Sequence, residues 1–244
     1  MLTPPFPIIE VASENAYIVY FSQYSNVTTS ASIAQYQARV KQLFGTALID
    51  SIASFTSLLV IYDLSAIQAK QAKAYLDQTT QTLNTLDTQQ EFEQAKTLCL
   101  PVYYDALYCP DLQAIAEQAN LPVEDVIQIH SQSSYRVAAI GFAPGFAYLA
   151  EVDKRIAMPR LATPRKWVPQ GAVGIADQQT AIYPASSPGG WNIIGLCPTQ
   201  LFNLQQDPPM PFSIGQLVSF QAINQSEYLA LGGELPDINQ LNQG

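Results

Sequence analysis

The chain has 244 residues, 48% hydrophobic and 10% aromatic, which is enough to bury a substantial core in one domain or two. Only 13% of the residues are charged, the net charge is -9, and the one dense basic patch is Arg160, Arg165 and Lys166 with Lys154 and Arg155 just before it, so no nucleic-acid role is expected. No window approaches the roughly 18 apolar residues of a spanning helix, and the 3 scattered cysteines, Cys99, Cys109 and Cys197, imply no disulfide framework.

The opening MLTPPFPIIEV has neither a basic region nor a long apolar run, so no secretory leader and no membrane anchor are expected, and the chain reads as a soluble cytoplasmic protein. Its low charge requires a surface of Gln, Asn, Ser and Thr. That surface suits a chain partly covered by a partner, and equally a plain compositional preference for Gln.

In chain order, Ala16 to Phe21 is β-branched and aromatic and predicts a strand. SIAQYQARVKQLFG sets Ile33, Tyr36, Val40, Leu43 and Phe44 on one helical face, with Thr28, Thr29 and Ser30 as caps and Gly45 as a stop. ALIDSIASF and SLLVIYD predict two strands joined by a turn near Phe55 to Ser57. A helix opening at Ser65 would bury Ala69, Ala72, Leu76 and Leu83, with Lys70 and Lys73 outside. After the polar stretch TLDTQQEFEQAK comes a last strand, TLCLPVYY. The order β-α-β-β-α-β is the split βαβ or ferredoxin-like arrangement, an α+β domain over residues 1–105.

Residues 106–132 predict a connector of two short helices, with Asp111 capping the first, Asn120 ending it and Pro122 in the first turn of the second. From Tyr135 helical periodicity stops. YRVAAIGF, AVGIA, TAIYP, WNIIGL and QLVSF are short strands punctuated by Gly and Pro, the pattern of a compact β-barrel or sandwich over residues 133–244. SEYLALGG predicts a turn or two of helix, and the last ten residues, LPDINQLNQG, predict a loose tail.

The chemistry available is narrow. With 1 histidine, His130, multi-His metal sites are excluded, and no Cys or carboxylate cluster has zinc-like spacing, so no metal is expected. There is no GxSxG elbow for a hydrolytic serine, no Walker A loop and no GxGxxG fingerprint. His130 is a candidate for proton transfer, or else a helix-end residue bonded to a carbonyl. Gly189 and Gly190, flanked by Ser186 and Ser187, offer backbone N–H groups as an anion nest, or a tight turn. RLATPRKWVP presents Arg160, Arg165 and Lys166 on a proline-stiffened segment, suited to a carboxylate or phosphate or simply solvated. Phe142, Phe146, Tyr148, Tyr183 and Trp191 are a candidate pocket lining, or core.

Two longer stretches, IGFAPGFAYL and PRLATPRKWVPQGAVGIADQQTAIYPASSPGGWNIIG, resemble the family of the 5-oxoprolinase B subunit, also called allophanate hydrolase subunit 1 or KipI-like. The resemblance continues upstream through PVYYDALYCPDLQAIAEQANLPVEDVIQIH and downstream through PTQLFN and DPPMPFSIGQLVSF. It implies a ferredoxin-like domain followed by a cyclophilin-like β-barrel. It also implies work beside C and A subunits as an ATP-dependent 5-oxoprolinase, opening a lactam to glutamate, with this chain inactive alone. Other members inhibit a sporulation histidine kinase or serve beside urea carboxylase, and these remain alternatives.

On that basis His130, Arg160, Arg165 and Tyr183 are the expected catalytic residues. Gly141, Phe142, Pro144, Gly145, Phe146, Tyr148, Gln179, Ser187, Gly189, Gly190 and Trp191 are the expected ligand-binding ones. Phe142 to Tyr148 and Pro188 to Trp191 are the expected docking segments for the C subunit. The sequence departs from the family pattern at ADQQTA (Asp177, Gln178, Ala181), at Ala172, where Ser is frequent, and at Leu196, where an Arg is usual. If that Arg contacts an anionic substrate, the contact is lost or changed here.

Overall fold

Alternation and helical periodicity build the first half directly. The computed structural model describes residues 6–24, 27–83 and 97–241. Strand β1 (Ile8–Ser13) turns tightly into β2 (Ala16–Tyr20), and helix α1 (Val27–Phe44) follows. Strands β3 (Leu48–Ala53) and β4 (Ser57–Tyr62) then form a hairpin, closed by a hydrogen bond from Ser54 N–H to the Ser57 carbonyl at 2.8 Å, and α2 (Ala69–Leu83) comes last.

Ile33, Tyr36, Val40 and Phe44 of α1 are buried as the periodicity requires, and Gly45, at φ +51°, ends the helix. Leu58, Val60 and Tyr62 alternate inward along β4, against the helices. Tyr36 sits wholly inside and donates its hydroxyl to the Leu76 carbonyl at 2.8 Å, so burial of the ring leaves its own polar atom paired across α1 and α2. Ser65 does not open α2. Its N–H and hydroxyl both bond the Asp63 carboxylate, forming an Asx-type turn that delays the helix to Ala69, which stays exposed. The polar stretch TLDTQQEFEQAK lies outside the described residues.

The sheet runs β1-β2-β4-β3, all antiparallel. This corrects the expected strand order. TLCLPVYY, as β5 (Leu98–Tyr103), is not in this sheet, and β1, which no local pattern marks as a strand, takes the edge beside β2. The physical reason is proximity: β1 reaches β2 through a two-residue turn, whose closure entropy is far smaller than that of a return from beyond α2. The chain accordingly divides into one unit of residues 1–95 with 138–140, and a second of 96–137 with 141–244. The boundary falls near 95 rather than 105, and the connector helices belong to the second unit.

In that second unit, α3 (Leu112–Ala119) ends at Asn120 in the left-handed region (φ +53°), and α4 (Val123–Gln132) follows with Pro122 as its cap. The strands β6 (Ser134–Ile140), β7 (Ala147–Ala150), β9 (Ala172–Ala176), β10 (Gln179–Ile182), β12 (Asn192–Leu196) and β13 (Leu217–Ile223) close with β5 into a barrel. Its order is β10-β7-β6-β13-β5-β12-β9. The β5–β13 pairing is parallel, from Leu98↔Val218 to Tyr103↔Ile223. A separate ribbon joins β8 (Arg165–Val168) to β11 (Ser187–Gly189). Both β9 and β12 are buried along their whole length, and Ile175, Ile193 and Ile194, fully enclosed, each stabilise the barrel by roughly 1.5–3 kcal/mol.

Helix α5 (Gln225–Ala230) starts on a capping box in which Asn224 and Glu227 exchange side-chain and backbone hydrogen bonds. The tail after it is not loose through residue 241. It forms α6 (Ile238–Leu241), and Leu241 is 2% exposed. Leu241→Ala should therefore cost about 2–3 kcal/mol, at the lower end for a buried leucine because the site lies at the chain's margin. An unchanged urea midpoint would mean that the tail contributes nothing to the fold.

Candidate functional site

His130 stands in the last turn of α4 and is completely enclosed. Its Nδ1 meets the Tyr104 hydroxyl at 2.8 Å and its Nε2 the Thr180 Oγ1 at 3.0 Å. The ring stacks on Phe220 with centroids 4.7 Å apart. Both partners are hydroxyls, which donate or accept as required, so one neutral tautomer satisfies the network. Burial pushes the imidazole pKa down to about 3. His130 thus packs and ties α4 to β10. It neither reaches solvent nor carries a charge at neutral pH, which removes it from the proton-transfer role expected of it.

The basic run splits in two. Arg165, first residue of β8, turns inward and donates from Nη2 to Asp111 Oδ1 at 2.7 Å, with the two side chains only 11% and 9% exposed. Its Nε and Nη1 point to the carbonyls of Leu241 (3.3 Å) and Trp191 (3.5 Å). Asp111 Oδ2 also accepts the Ile193 N–H at 2.6 Å, so this carboxylate joins α3 to β12 instead of capping its own helix. With its donors engaged, Arg165 is a structural cation and not a catalytic one. Arg160 does the opposite: it is exposed, with its guanidinium carbon 5.7 Å from the Trp191 ring centroid.

Under Arg160 lies a cluster assembled from three separate segments. Phe146 is its hub, with Phe142, Tyr148, Tyr183 and Trp191 at centroid distances of 5.2, 4.9, 5.6 and 5.8 Å, all in edge-on geometry. Such edge contacts add roughly 0.5–1.5 kcal/mol each beyond buried area. The glycines of GFAPGF serve this cluster. Gly145, at φ +84°, lets the loop press on the Leu201 carbonyl, which a Cβ would meet at 2.7 Å, and this close approach seats Phe146. Phe142 is held at φ +77° and is 66% exposed, an unfavourable backbone for an aromatic residue that presents its ring outward. Trp191 and Phe146 are buried and Tyr148 is half-buried, so of the aromatic residues in the expected docking segments Phe142 is the exposed one.

Tyr183 is buried with its ring against Gly189, where a Cβ would collide with the phenol oxygen. Burial raises its pKa, against the opposing pull of a backbone hydrogen bond at Trp191 and of the nearby Arg160, so it stays protonated. Gly189 belongs to β11, and neither it nor Gly190 has φ in the left-handed region, while the Gly190 carbonyl accepts the Leu161 N–H at 2.8 Å. No anion nest forms there. Gly141 and Pro144 flank Phe142 in its loop. Gln179 is placed by its pairing with Ala150 and Ala176, and Ser187 by its pairing with Val168.

Nucleotide binding needs several donors converging on a triphosphate. Among the described residues the Gly pair lies in a ribbon, Arg165 is neutralised inside, and Arg160 stands outward over Trp191. These residues do not fit a nucleotide cradle, and no group of His, Cys, Asp and Glu among the described residues is arranged to hold a metal ion. Sequence reading missed Asp111 as the partner of Arg165, and Tyr104, Thr180 and Phe220 as the housing of His130. An aspartate ahead of an apolar helix gives the same signal whether it caps that helix or bonds across the fold.

The arrangement of an antiparallel α/β unit and a closed barrel goes with a carboxyltransferase-type domain, the class that the family match defines. The family model for the carboxyltransferase domain, subdomain C and D, matches residues 7–212. The chain belongs to that family, which includes the B subunits of 5-oxoprolinase. The 5-oxoprolinase B subunit of Bacillus subtilis (strain 168) is 33% identical over 228 residues, which cover 91% of this chain and 95% of that protein. The crystal structure of TTHA0988 superposes with a TM-score of 0.72 at 28% identity, over 91% of this chain but only 41% of that one. The urea amidolyase of K. lactis superposes with a TM-score of 0.70 at 18% identity, over 93% of this chain and 16% of that one, a likeness of fold alone.

Two consequences are measurable. Folded His130 is neutral down to about pH 3, whereas an unfolded histidine titrates near 6.5. The unfolded state therefore binds the extra proton between those values. Stability is whole above about pH 6.5 and falls as the pH drops, with a slope approaching 1.4 kcal/mol per pH unit. Between about pH 6.5 and 5 most carboxylates remain ionised, and His130→Gln should remove that slope in urea denaturation series. An equal slope in the variant would contradict a buried neutral ring. Separately, Asp111→Ala should destabilise by about 3–5 kcal/mol, because it strands the Arg165 charge, and adding Arg165→Met should recover part of the loss. No recovery in the double variant would mean that the two side chains act independently.

Proposed function

We propose that this chain is the B subunit of an ATP-dependent 5-oxoprolinase, acting in the cytoplasm with the C and A subunits to open 5-oxo-L-proline to L-glutamate. The observation that carries this reading is the likeness to the B subunit of Bacillus subtilis, 33% identity across 91% of this chain and 95% of that one. On this reading the first unit is a ferredoxin-like layer in which β1 stands in for the last strand, and the second is a cyclophilin-like barrel.

The chemical obstacle is a stable amide. Opening it adds the hydroxyl of water to the carbonyl carbon, breaks the C–N bond and puts the proton of water on nitrogen, while ATP, cleaved to ADP and phosphate, would activate the carbonyl oxygen. Charge then gathers on that oxygen, and stabilising it is electrostatic work for a preoriented donor. Arg160 is suited to it: it makes no ion pair among the described residues and rests on the Trp191 face. In water such a contact is weak, and it strengthens only when a second surface excludes solvent. On this reading, Arg160 and Phe142, both exposed on the one aromatic cluster, make half a site, and the chain alone is expected to be inactive. The described residues form no nucleotide cradle, and on this reading another subunit holds the nucleotide.

Phe142 also favours a second reading, a regulatory protein of the kinase-inhibitor type, in which the aromatic face docks a helix and no reaction occurs. Purified mixtures of the three proteins with and without this chain, assayed for ATP-dependent glutamate formation, separate the two. Arg160→Ala should lower the rate about 100-fold or more while leaving co-elution with the C subunit intact, and Phe142→Ala should weaken co-elution. Full activity without the chain, or with Arg160→Ala, would overturn the enzymatic reading.

A further inference from the structure

On the second unit, the turn after β8, the segment at Cys197 to Thr199 and residues 232–240 line a half-open cavity of about 440 Å³. That is within the usual range for small-molecule sites. None of Phe142, Phe146, Tyr148, Arg160, Tyr183 or Trp191 lines it. Its walls are fixed on both sides. Tyr228, 2% exposed, donates its hydroxyl to the Glu234 carbonyl at 2.9 Å, and the Gly233 N–H returns to the Tyr228 carbonyl at 2.9 Å. Further along, the buried Leu241 is held through its carbonyl by Arg165 at 3.3 Å. The segment from 232 to 240 is thus anchored at each end, and the cavity exists before any ligand arrives.

Its chemistry is one-sided. The described lining carries two carboxylates, Glu234 and Asp237, and no Lys, Arg or His. Asp237 spends Oδ1 on the Asn239 N–H at 2.9 Å, which leaves its second oxygen, and the Glu234 carboxylate makes no hydrogen bond or ion pair among the described residues. Trp167 supplies a half-buried aromatic wall, and Gln170 and Gln240 supply amide oxygens. Carboxylates focused in a concavity repel anions and attract cations. An aromatic wall adds cation–π attraction, and amide and carboxylate oxygens accept the three protons of an ammonium group. We propose that this cavity binds a small primary ammonium ion, at a site distinct from the Arg160 face and of opposite charge preference.

The whole chain, titrated calorimetrically with n-butylammonium at low ionic strength, should show saturable binding that weakens as salt is raised. The isosteric alcohol n-butanol and the anion pentanoate should bind at least about tenfold more weakly. Glu234→Gln combined with Asp237→Asn keeps both positions hydrogen-bond competent and both are exposed, so the fold is preserved and affinity should fall about tenfold or more. Trp167→Leu should weaken binding independently. No saturable binding of n-butylammonium, equal binding of n-butanol, or undiminished affinity in the double carboxylate variant would each overturn the proposal.

Discussion

Asp111 accepts a guanidinium on one oxygen and a backbone N–H on the other, in a place that water hardly reaches. A lone buried carboxylate would be prohibitively costly, and so would a lone buried guanidinium. Together they fix four parts of the second unit relative to one another: the start of α3, the first residue of β8, the backbone of β12 beside Trp191, and the last turn at Leu241. The aromatic cluster and the C-terminal cavity both lie next to parts held by this pair. The stacking of Arg160 over Trp191 depends on it at one remove, because Trp191 keeps its position through the same strand whose Ile193 N–H is bound by Asp111.

The second unit also separates its polar chemistry by depth. Groups that resemble catalysts by type, His130 and Tyr183, are enclosed and held in their neutral forms by desolvation. Among the charged groups that face solvent are Arg160 in one place and Glu234 and Asp237 in another. A single surface with both signs close together would neutralise itself. Arg160 does not line the cavity that carries Glu234 and Asp237, so the two are not set against each other there.

How much of this is legible in the sequence depends on whether the signal is local. The apolar face of α1, its glycine stop, the all-apolar β9 and the apolar run IIGL of β12 are local, and their elements stand where the pattern puts them. The left-handed cap at Asn120 is local too. Strand partnership is not local: TLCLPVYY has the alternation of a sheet strand whichever sheet it joins, and only closure of the barrel selects β13 and β12. IIEVAS follows a proline-rich start and passes for a loop until β2 is there to pair with it. Arg160 and Arg165 sit in one basic run, and nothing between them says which turns inward. That is decided 54 residues away by an aspartate that looks like a helix cap. The tail resembles a loose terminus because its one anchoring leucine has no neighbour in sequence to reveal the contact.

The parallel ladder between Leu98–Tyr103 and Leu217–Ile223 has a consequence for biosynthesis. The barrel's seam is made by segments more than 100 residues apart, the first of them leading the unit and the second nearly ending it. A ribosome releases residues vectorially, so β5 must wait, with one hydrogen-bonding edge and its apolar side chains uncovered, until residues 217–223 have emerged. The hairpins and helices of the first unit carry no such delay, since their partners are translated within a few dozen residues. The interval between the two events is when this polypeptide is most prone to aggregate, and the segment at risk then is β5.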